Sequence, residues 1–376
     1  MTDPNFEHVI IDGSLLEGVR IVYFLLSFTK GGQILRNAVS LCVLAKKAVT
    51  IEKIRAGRPK PGLSPQHLTG LELAALISDA QLQGCIANSQ QITFKPKCIK
   101  TGEFEGDAKT AGSVALLAQI TVPILAFGQR ASTLVLKGGT DASFAPPIDY
   151  LSEVTAHYYR KMGLYFDIEV LERGYYPQGG GTVKVVVQPV TSKLSPITLH
   201  EIGSISRVLG SSFVAGKVPI KVAEQMSAVA KRLLRNYLPE CPININTFRA
   251  PDNRFRGNVA TFLFVLETST DCRLAASGLN NPRGPPVEDL VTDAIEELMT
   301  SVRAGSCCDK NMQDMLILPM ALADGKSSIR TTALTLHTQS AIYVAEKLLP
   351  VKFVVEEQTD GTVLLSCEGV GLSASS

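Results

Sequence analysis

The chain has 376 residues, 45% hydrophobic and 19% charged, which excludes a disordered protein and leaves length for roughly two or three cored domains. Its formal net charge of +2 provides no global field for drawing in nucleic acid, so a polyanion would have to be held by local basic groups. The longest apolar run, IVYFLLSF at 21–28, is too short to cross a bilayer, and the acidic, polar stretch before it does not read as a secretory signal.

Short Val- and Ile-rich runs alternate with amphipathic ones. HVIIDG (8–13) and AVTIEKI (48–54) predict strands, and the next periodic segment predicts a helix over 64–80, opened by Ser64 with a proline in its first turn. QITFKP (91–96) and STLVLKGG (132–139) predict further strands, followed by a helix over 146–163 closed by Gly163. YFDIEVLE (165–172) and TVKVVVQ (182–188) predict two more strands, after which the pattern is lost over 190–218. Helices are predicted over 219–238 and 285–302, with a turn-rich, polar stretch at 244–285 between them. A last helix follows His337, entered from an apolar LTL strand, with Thr338 and Ser340 as entrance residues.

Three stretches, KIRAGRPKPG (53–62), LKGGTDASFAPP (136–147) and LERGYYPQGGG (171–181), each run from strand to glycine turn to proline. The first two lead into a helix and the third into a strand, an irregular hint of a repeated α/β unit. The composition break predicts a first domain portion at 1–199, an inserted α/β domain at 200–304 and a return to the first domain over 305–376.

Eight cysteines without any CxxC spacing predict reduced thiols in the nucleus or cytosol. The glycines of GYYPQGGGTVKV (174–185) suit either a phosphate-cradling loop or a tight strand-to-strand turn. Arg55, Arg58 and Lys60 share a loop before a helix N-terminus, which suits an anion site or a solvated basic loop. His67, one turn inside that helix, reads as a packing or hydrogen-bonding residue. His337 at a helix mouth reads as a capping histidine or as a nucleophile. The positive helix end favours its neutral form, and the same end would hold a phosphoryl group.

Taken together, GGQILRNAVSL (31–41), IRAGRPKPGLSPQHLTGLE (54–72), DAKTAGSVALLAQ (107–119), LKGGTDASFAPPIDY (136–150), RGYYPQGGG (173–181) and LHTQSAIYVAEKLLP (336–350) closely resemble the RNA 3'-terminal phosphate cyclase family, in its eukaryotic, catalytic branch. The resemblance covers nearly the whole chain. It implies an α/β (α+β) fold of three repeated units, each of paired helices on a four-stranded sheet, enolpyruvyl-transferase-like, with a smaller inserted α/β domain. It implies ATP-dependent conversion of an RNA 3'-phosphate to a 2',3'-cyclic phosphate through a covalent histidine-AMP and an RNA-adenylate, with His337 as the nucleophile. On the same basis Gln119, Pro146, Asn311, Asp314 and Met315 line the ATP pocket, and Arg36, Arg55, Arg58 and Gln66 face phosphates. Glu17 is the carboxylate near a Mg²⁺ or Mn²⁺ ion. The implied partner is RNA with a 3'-phosphate end, with no membrane, and the expected location is the nucleoplasm with the cytoplasm second.

The sequence departs from the family pattern in two places. A twelve-residue block, VRIVYFLLSFTK (19–30), separates Glu17-Gly18 from Gly31-Gly32-Gln33. Asn311 and Met315 stand where the family commonly offers Tyr and Gln, a change that costs ATP binding about one to a few kcal/mol. These departures support an alternative, a non-catalytic cyclase-like protein of ribosome biogenesis. A third reading, an enolpyruvyl-transferase-like enzyme of a small anionic metabolite, rests on fold analogy alone.

Overall fold

The structure, a computed structural model, describes residues 7–14, 32–251, 257–280 and 284–374. One βαβαββ pattern recurs three times. In the first unit β1 (His8–Asp12), α1 (Gly32–Leu44), β2 (Ala48–Glu52), α2 (Pro65–Ser78), β3 (Gln81–Gln83) and β4 (Ile92–Lys95) give a sheet ordered β1-β2-β4-β3. The first pair is parallel and the others antiparallel. The parallel pair requires the α1 crossover, whereas β3 and β4 need only a hairpin.

The second unit repeats this with β5 (Glu103–Asp107), α3 (Val114–Ala126), β6 (Ser132–Gly138), a long helix, β7 (Phe166–Glu172) and β8 (Gly181–Val187), ordered β5-β6-β8-β7. The long helix comprises α4 (Ile148–Tyr150) and α5 (Ala156–Lys161), joined through a π-helical stretch at Leu151–Thr155. Gly163 closes it at φ +88°, a conformation that suits glycine.

The third unit starts with β9 (Thr198–Leu199) and is interrupted. A fourth sheet follows, made of β10 (Ile205–Ala215), β11 (Ile243–Arg249), β12 (Val259–Thr268) and β13 (Arg273–Asn280) in the order β11-β10-β12-β13. It carries α6 (Ile220–Tyr237) and α7 (Val287–Arg303). The third unit then resumes with α8 (Lys310–Met315), α9 (Ile317–Leu322), β14 (Lys326–Thr331), α10 (Leu336–Leu348), β15 (Phe353–Glu357) and β16 (Val363–Glu368). Its sheet, β15-β16-β14-β9, has the same parallel and antiparallel pairing as the first two. The fold is therefore the repeated α/β plan with one further α/β sheet.

The core runs continuously through the units, with Ile34, Leu35, Val39, Leu117, Ile124, Val344 and Leu348 buried on the helices that face it. α1 packs on both α3 and α10. Their small buried residues, Ala38 and Ser40 on α1 and Ser340, Ala341 and Ala345 on α10, suit close helix approach. At the α2–α3 contact, Gly70 leaves room for Ile120, whose Cδ1 lies 2.6 Å from where a Cβ would be.

Three sequence expectations change. The region 190–218, read as patternless, holds the eleven-residue strand β10, whose burial pattern does not alternate cleanly. The polar stretch 244–285 holds β11, β12 and β13, and the almost wholly buried VATFLFVLET of β12 is a central strand covered on both faces. The LTL segment is not a strand. β14 ends at Thr331, and α10 starts at Leu336 with Thr335 as its cap. Thr335 Oγ1 accepts from the Thr338 N–H at 3.1 Å, so Thr338 is what the cap holds rather than the cap itself. Among the described residues no helix is long and apolar enough to cross a membrane, and all eight cysteines are free thiols.

Candidate active site

The loops that matter leave the carboxyl ends of the parallel strand pairs. The loop after β2 carries Arg55 and Arg58 and enters α2, the loop after β5 enters α3, and the loop after β14 enters α10. Hydrogen bonds link the entrances of α2 and α3 and those of α1 and α10, and His67 of α2 packs at the start of α1.

His337 lies in the first turn of α10, 38% exposed. Its Nδ1 is 2.5 Å from Gln33 Oε1. The Gln33 amide is oriented by its other contacts. Its Nε2 donates to Asp314 Oδ2, and its Oε1 also accepts from Arg36 Nη2 at 3.5 Å. An amide oxygen only accepts, so His337 Nδ1 carries the proton, and the lone pair of the neutral ring is on Nε2. Asp314 Oδ2 is 3.9 Å from Nδ1 and completes a His–Gln–Asp line. Burial pushes the Asp314 carboxyl up to about 6, against the pull of the Gln33 amide and the Arg36 charge. Burial likewise lowers the Arg36 guanidinium to about 10, and Asp314 opposes that.

Gln313 is a positioning residue that the sequence reading missed. It is fully buried, donates through Nε2 to Thr331 Oγ1 at 2.8 Å, and accepts through Oε1 from the Thr335 N–H at 2.9 Å and the Thr338 hydroxyl at 2.5 Å. One amide thus ties the end of β14 to the cap of α10 and fixes where His337 stands. The only sequence signal is a polar residue between Met312 and Asp314 on a short helix, which reads as surface until α8 is known to be buried.

His67 is a hydrogen-bonding residue, as its sequence reading expects. It is the N3 residue of α2 and closes a capping box with Ser64. The Ser64 N–H donates to its Nδ1 at 3.2 Å, so the neutral ring carries its proton on Nε2. Burial, and then the charges of Arg36 and Arg55, pull its pKa down to about 3. Nε2 abuts the start of α1. A Cβ on Gly32 would sit 2.6 Å from it and 3.3 Å from Arg36 Nη1, so a larger residue there would push both side chains aside. The His67 Nε2–H and the Arg36 guanidinium therefore converge on the start of α1, two donors at a helix entrance that suit an anion.

The remaining sequence-derived positions fall as follows. Gln66 Oε1 accepts from the Ser113 N–H at 3.0 Å, linking the entrances of α2 and α3. Arg55, at φ +52°, donates to Gly62 O at 2.7 Å, and Arg58 lies in the same loop. Gln119 lies partly buried on α3, and Pro146 just precedes α4. Asn311 sits in the first turn of α8, its N–H held by the cap Asp309 at 2.9 Å. Met315 is buried, its sulfur accepting from Thr155 Oγ1 at 3.3 Å. Glu17 and the block 19–30 lie outside the described residues. Among the described residues no three acidic, histidine or cysteine side chains cluster as a metal site. The triple-glycine segment is a strand-to-strand turn between β7 and β8, with Gly179 and Gly180 at φ +76° and +74°. A Cβ on Gly179 would meet Thr110 O at 2.4 Å, so the turn presses on the loop before α3.

The neutral His67 gives a pH signature. Its folded pKa lies below its unfolded value of about 6.5, so the unfolded chain binds more protons as pH falls, and stability is lost on acidification. Between about pH 7.5 and pH 5 this group costs on the order of 2 kcal/mol. Asp314, raised by burial, acts with the opposite sign and is common to wild type and variant. His67→Gln keeps a capping-box partner, so it should shrink the acid-side loss in denaturant midpoint. An equal loss in wild type and variant would refute the neutral, buried assignment.

Comparison with known proteins identifies the family of the chain. The sequence profile of the family described as "RNA 3'-terminal phosphate cyclase" matches residues 28–355. A Drosophila melanogaster protein of that name is 39% identical over 361 residues, covering 96% of this chain and 96% of its own. One from Pyrobaculum neutrophilum is 38% identical over 365 residues, covering 96% and 99%. With the match spanning the three units and the further sheet, the chain belongs to the RNA 3'-terminal phosphate cyclase family.

Proposed function

We propose that this protein is an enzyme that cyclises RNA ends, converting a terminal 3'-phosphate to a 2',3'-cyclic phosphodiester at the expense of ATP. The observation that carries this reading is His337, whose Nδ1–H is held by Gln33 so that its Nε2 lone pair stands at a helix entrance near the Arg36–His67 anion cradle. Nε2 attacks the α-phosphorus of ATP. The bond from that phosphorus to the bridging oxygen breaks, and pyrophosphate leaves. Arg36 and His67 Nε2–H hold phosphate oxygens as charge moves onto them. A 3'-phosphate oxygen of the RNA then attacks the histidine-bound phosphorus, taking AMP and releasing the imidazole. Finally the adjacent 2'-hydroxyl attacks the 3'-phosphorus, giving up its proton, and AMP departs as a good leaving group. A Mg²⁺ or Mn²⁺ ion bound with ATP would neutralise the triphosphate, with Glu17 as the family-derived carboxylate.

Incubation with α-labelled ATP followed by denaturation tests this. Acid-labile, base-stable label on the protein supports the reading, and its absence favours the non-catalytic alternative. In the RNA step, Arg58 should recognise phosphate rather than base, because its loop adjoins the entrance of α2. Arg58→Ala should weaken binding of 3'-phosphorylated RNA by a similar factor for every terminal base. A loss confined to one base would contradict the assignment.

A further inference from the structure

Asp309 stands between the further sheet and the short helix behind the nucleophile, and it makes more bonds than a helix cap needs. It is 4% exposed and caps α8, where its Oδ1 accepts from the Asn311 N–H at 2.9 Å and the Met312 N–H at 3.1 Å. Serine or asparagine would serve that purpose equally well. The same Oδ1 also accepts from the Tyr150 hydroxyl at 2.7 Å, and Oδ2 accepts from the Ala275 N–H at 2.9 Å. Tyr150 is fully buried on α4 of the second unit, and Ala275 lies on β13, an edge strand of the further sheet. An ionised carboxylate only accepts, and one group here takes bonds from three separate segments.

Two further ties fix the ends of α8. The Tyr158 hydroxyl donates to Cys307 O at 2.7 Å and accepts from the Arg273 N–H at 2.9 Å, so the chain entering α8 is held against the start of β13. At the other end the Tyr159 hydroxyl donates to Met315 O at 3.1 Å. With six residues α8 is too short to be stable by itself, so bonds to its surroundings set its place. It carries Asp314, whose Oδ2 takes the Gln33 Nε2–H, and Gln33 Oε1 in turn holds His337 Nδ1. A line of bonds thus runs from Ala275 through Asp309, the turns of α8, Asp314 and Gln33 to the imidazole.

We propose that Asp309 is a positioning residue for His337, holding α8 between the second unit and the further sheet so that Asp314 meets Gln33. The proposal rests on the RNA-cyclase reading and deepens it. Asp309 touches no reacting atom. Without its outward bonds α8 shifts, Gln33 loses the acceptor that orients its amide, and Nδ1–H of His337 loses a fixed partner.

Asp309→Ser keeps a cap for α8 but reaches neither Tyr150 nor Ala275. It should slow self-labelling from α-labelled ATP about tenfold at saturating ATP, by misplacing the nucleophile. Cyclisation of a chemically supplied RNA-adenylate, which needs no histidine nucleophile, should keep its wild-type rate. A protein that is only destabilised would lose both activities in proportion. Gln33→Ala combined with Asp309→Ser should lose much less than the product of the two single losses, because both changes act on one line. Ring-nitrogen NMR of histidine-labelled protein reads the same effect without turnover. His337 should report the Nδ1–H form in wild type and a mixture of tautomers in Asp309→Ser, while His8, bonded to Thr50 in the first sheet, keeps its shifts. Tyr150→Phe, which removes one hydroxyl and keeps the ring, should show a smaller loss in the same pattern, and it decides the matter if the serine variant does not fold. Absence of labelling in wild type would remove the cyclase reading, while the ring-nitrogen shifts would still decide the role of Asp309. Wild-type labelling and wild-type His337 shifts in the folded variants would reduce Asp309 to a helix cap and overturn the proposal. Proportional loss of labelling and adenylate cyclisation, or a double variant that loses the full product, would overturn it as well.

Discussion

His337→Ala should abolish transfer of label from α-labelled ATP to the protein while leaving the fold intact. The ring is more than a third exposed and contributes little to the core, so its loss removes chemistry rather than packing. Its Nδ1–H is committed to Gln33, which directs nucleophilic character to Nε2. No other imidazole offers that arrangement in this site, because His67 accepts through Nδ1 and presents an N–H to the cradle. His337→Asn keeps a polar group but no nucleophile and should fail at the same step. Both variants should still cyclise a chemically supplied RNA-adenylate, since that step needs only the 2'-hydroxyl and the phosphate-holding groups. Gln33→Ala should slow labelling, by about 10²-fold, rather than abolish it, because it misplaces the nucleophile without removing it. Label on the His337→Ala protein would show that another residue carries AMP.

The sequence revealed the parts with local signatures. The strand of HVIIDG, the proline-opened helix at 65–78 and the glycine-closed helix ending at Lys161 all follow from short-range rules. The sheet of β10 to β13 was obscured because β12 is buried almost throughout and β10 lacks clean alternation, so neither shows the period of a half-exposed strand. Within the site, His337 was visible because a histidine at a helix mouth is conspicuous. The Gln33–Asp314 support was not, because the two residues are 281 positions apart and meet only after the first and third units pack. Gln313 was missed for the same reason, whereas His67 was read as the hydrogen-bonding residue it is. Gln313 acquires its role from partners on other elements, and residue type alone does not specify them.

Arg173→Ala should destabilise the protein by about 3–5 kcal/mol, the cost of leaving the buried Asp141 and the half-buried Asp149 without their cation. The guanidinium makes two bonds to Asp149, at 2.7 and 2.9 Å, and a longer one of 3.4 Å to Asp141. It also lies 4.4 Å over the Phe213 ring. Burial alone would lower its pKa, but the Asp149 bond and both negative charges prevail and raise it. Asp141 is only 2% exposed and is bonded by Thr140 and, across the junction, by Thr261 of β12. Arg173 therefore links the second unit to the further sheet through Phe213 directly and through Asp141 indirectly. Burial pushes the Asp141 carboxyl up to about 6, with Arg173 holding it down. A carboxyl whose folded pKa exceeds its unfolded value favours the folded state at low pH, and that contribution is lost as pH rises through the folded pKa. Without Arg173 the folded pKa rises further, so the deficit should be largest near neutral pH and shrink toward about pH 5. Arg173→Lys, which keeps charge but not the two-pronged geometry, should fall between. Denaturant midpoints at both pH values measure this. A deficit below about 1 kcal/mol, or one independent of pH, would mean that Asp141 and Asp149 are satisfied without the guanidinium, and that the Phe213 contact and the threonine bonds are sufficient to hold the junction.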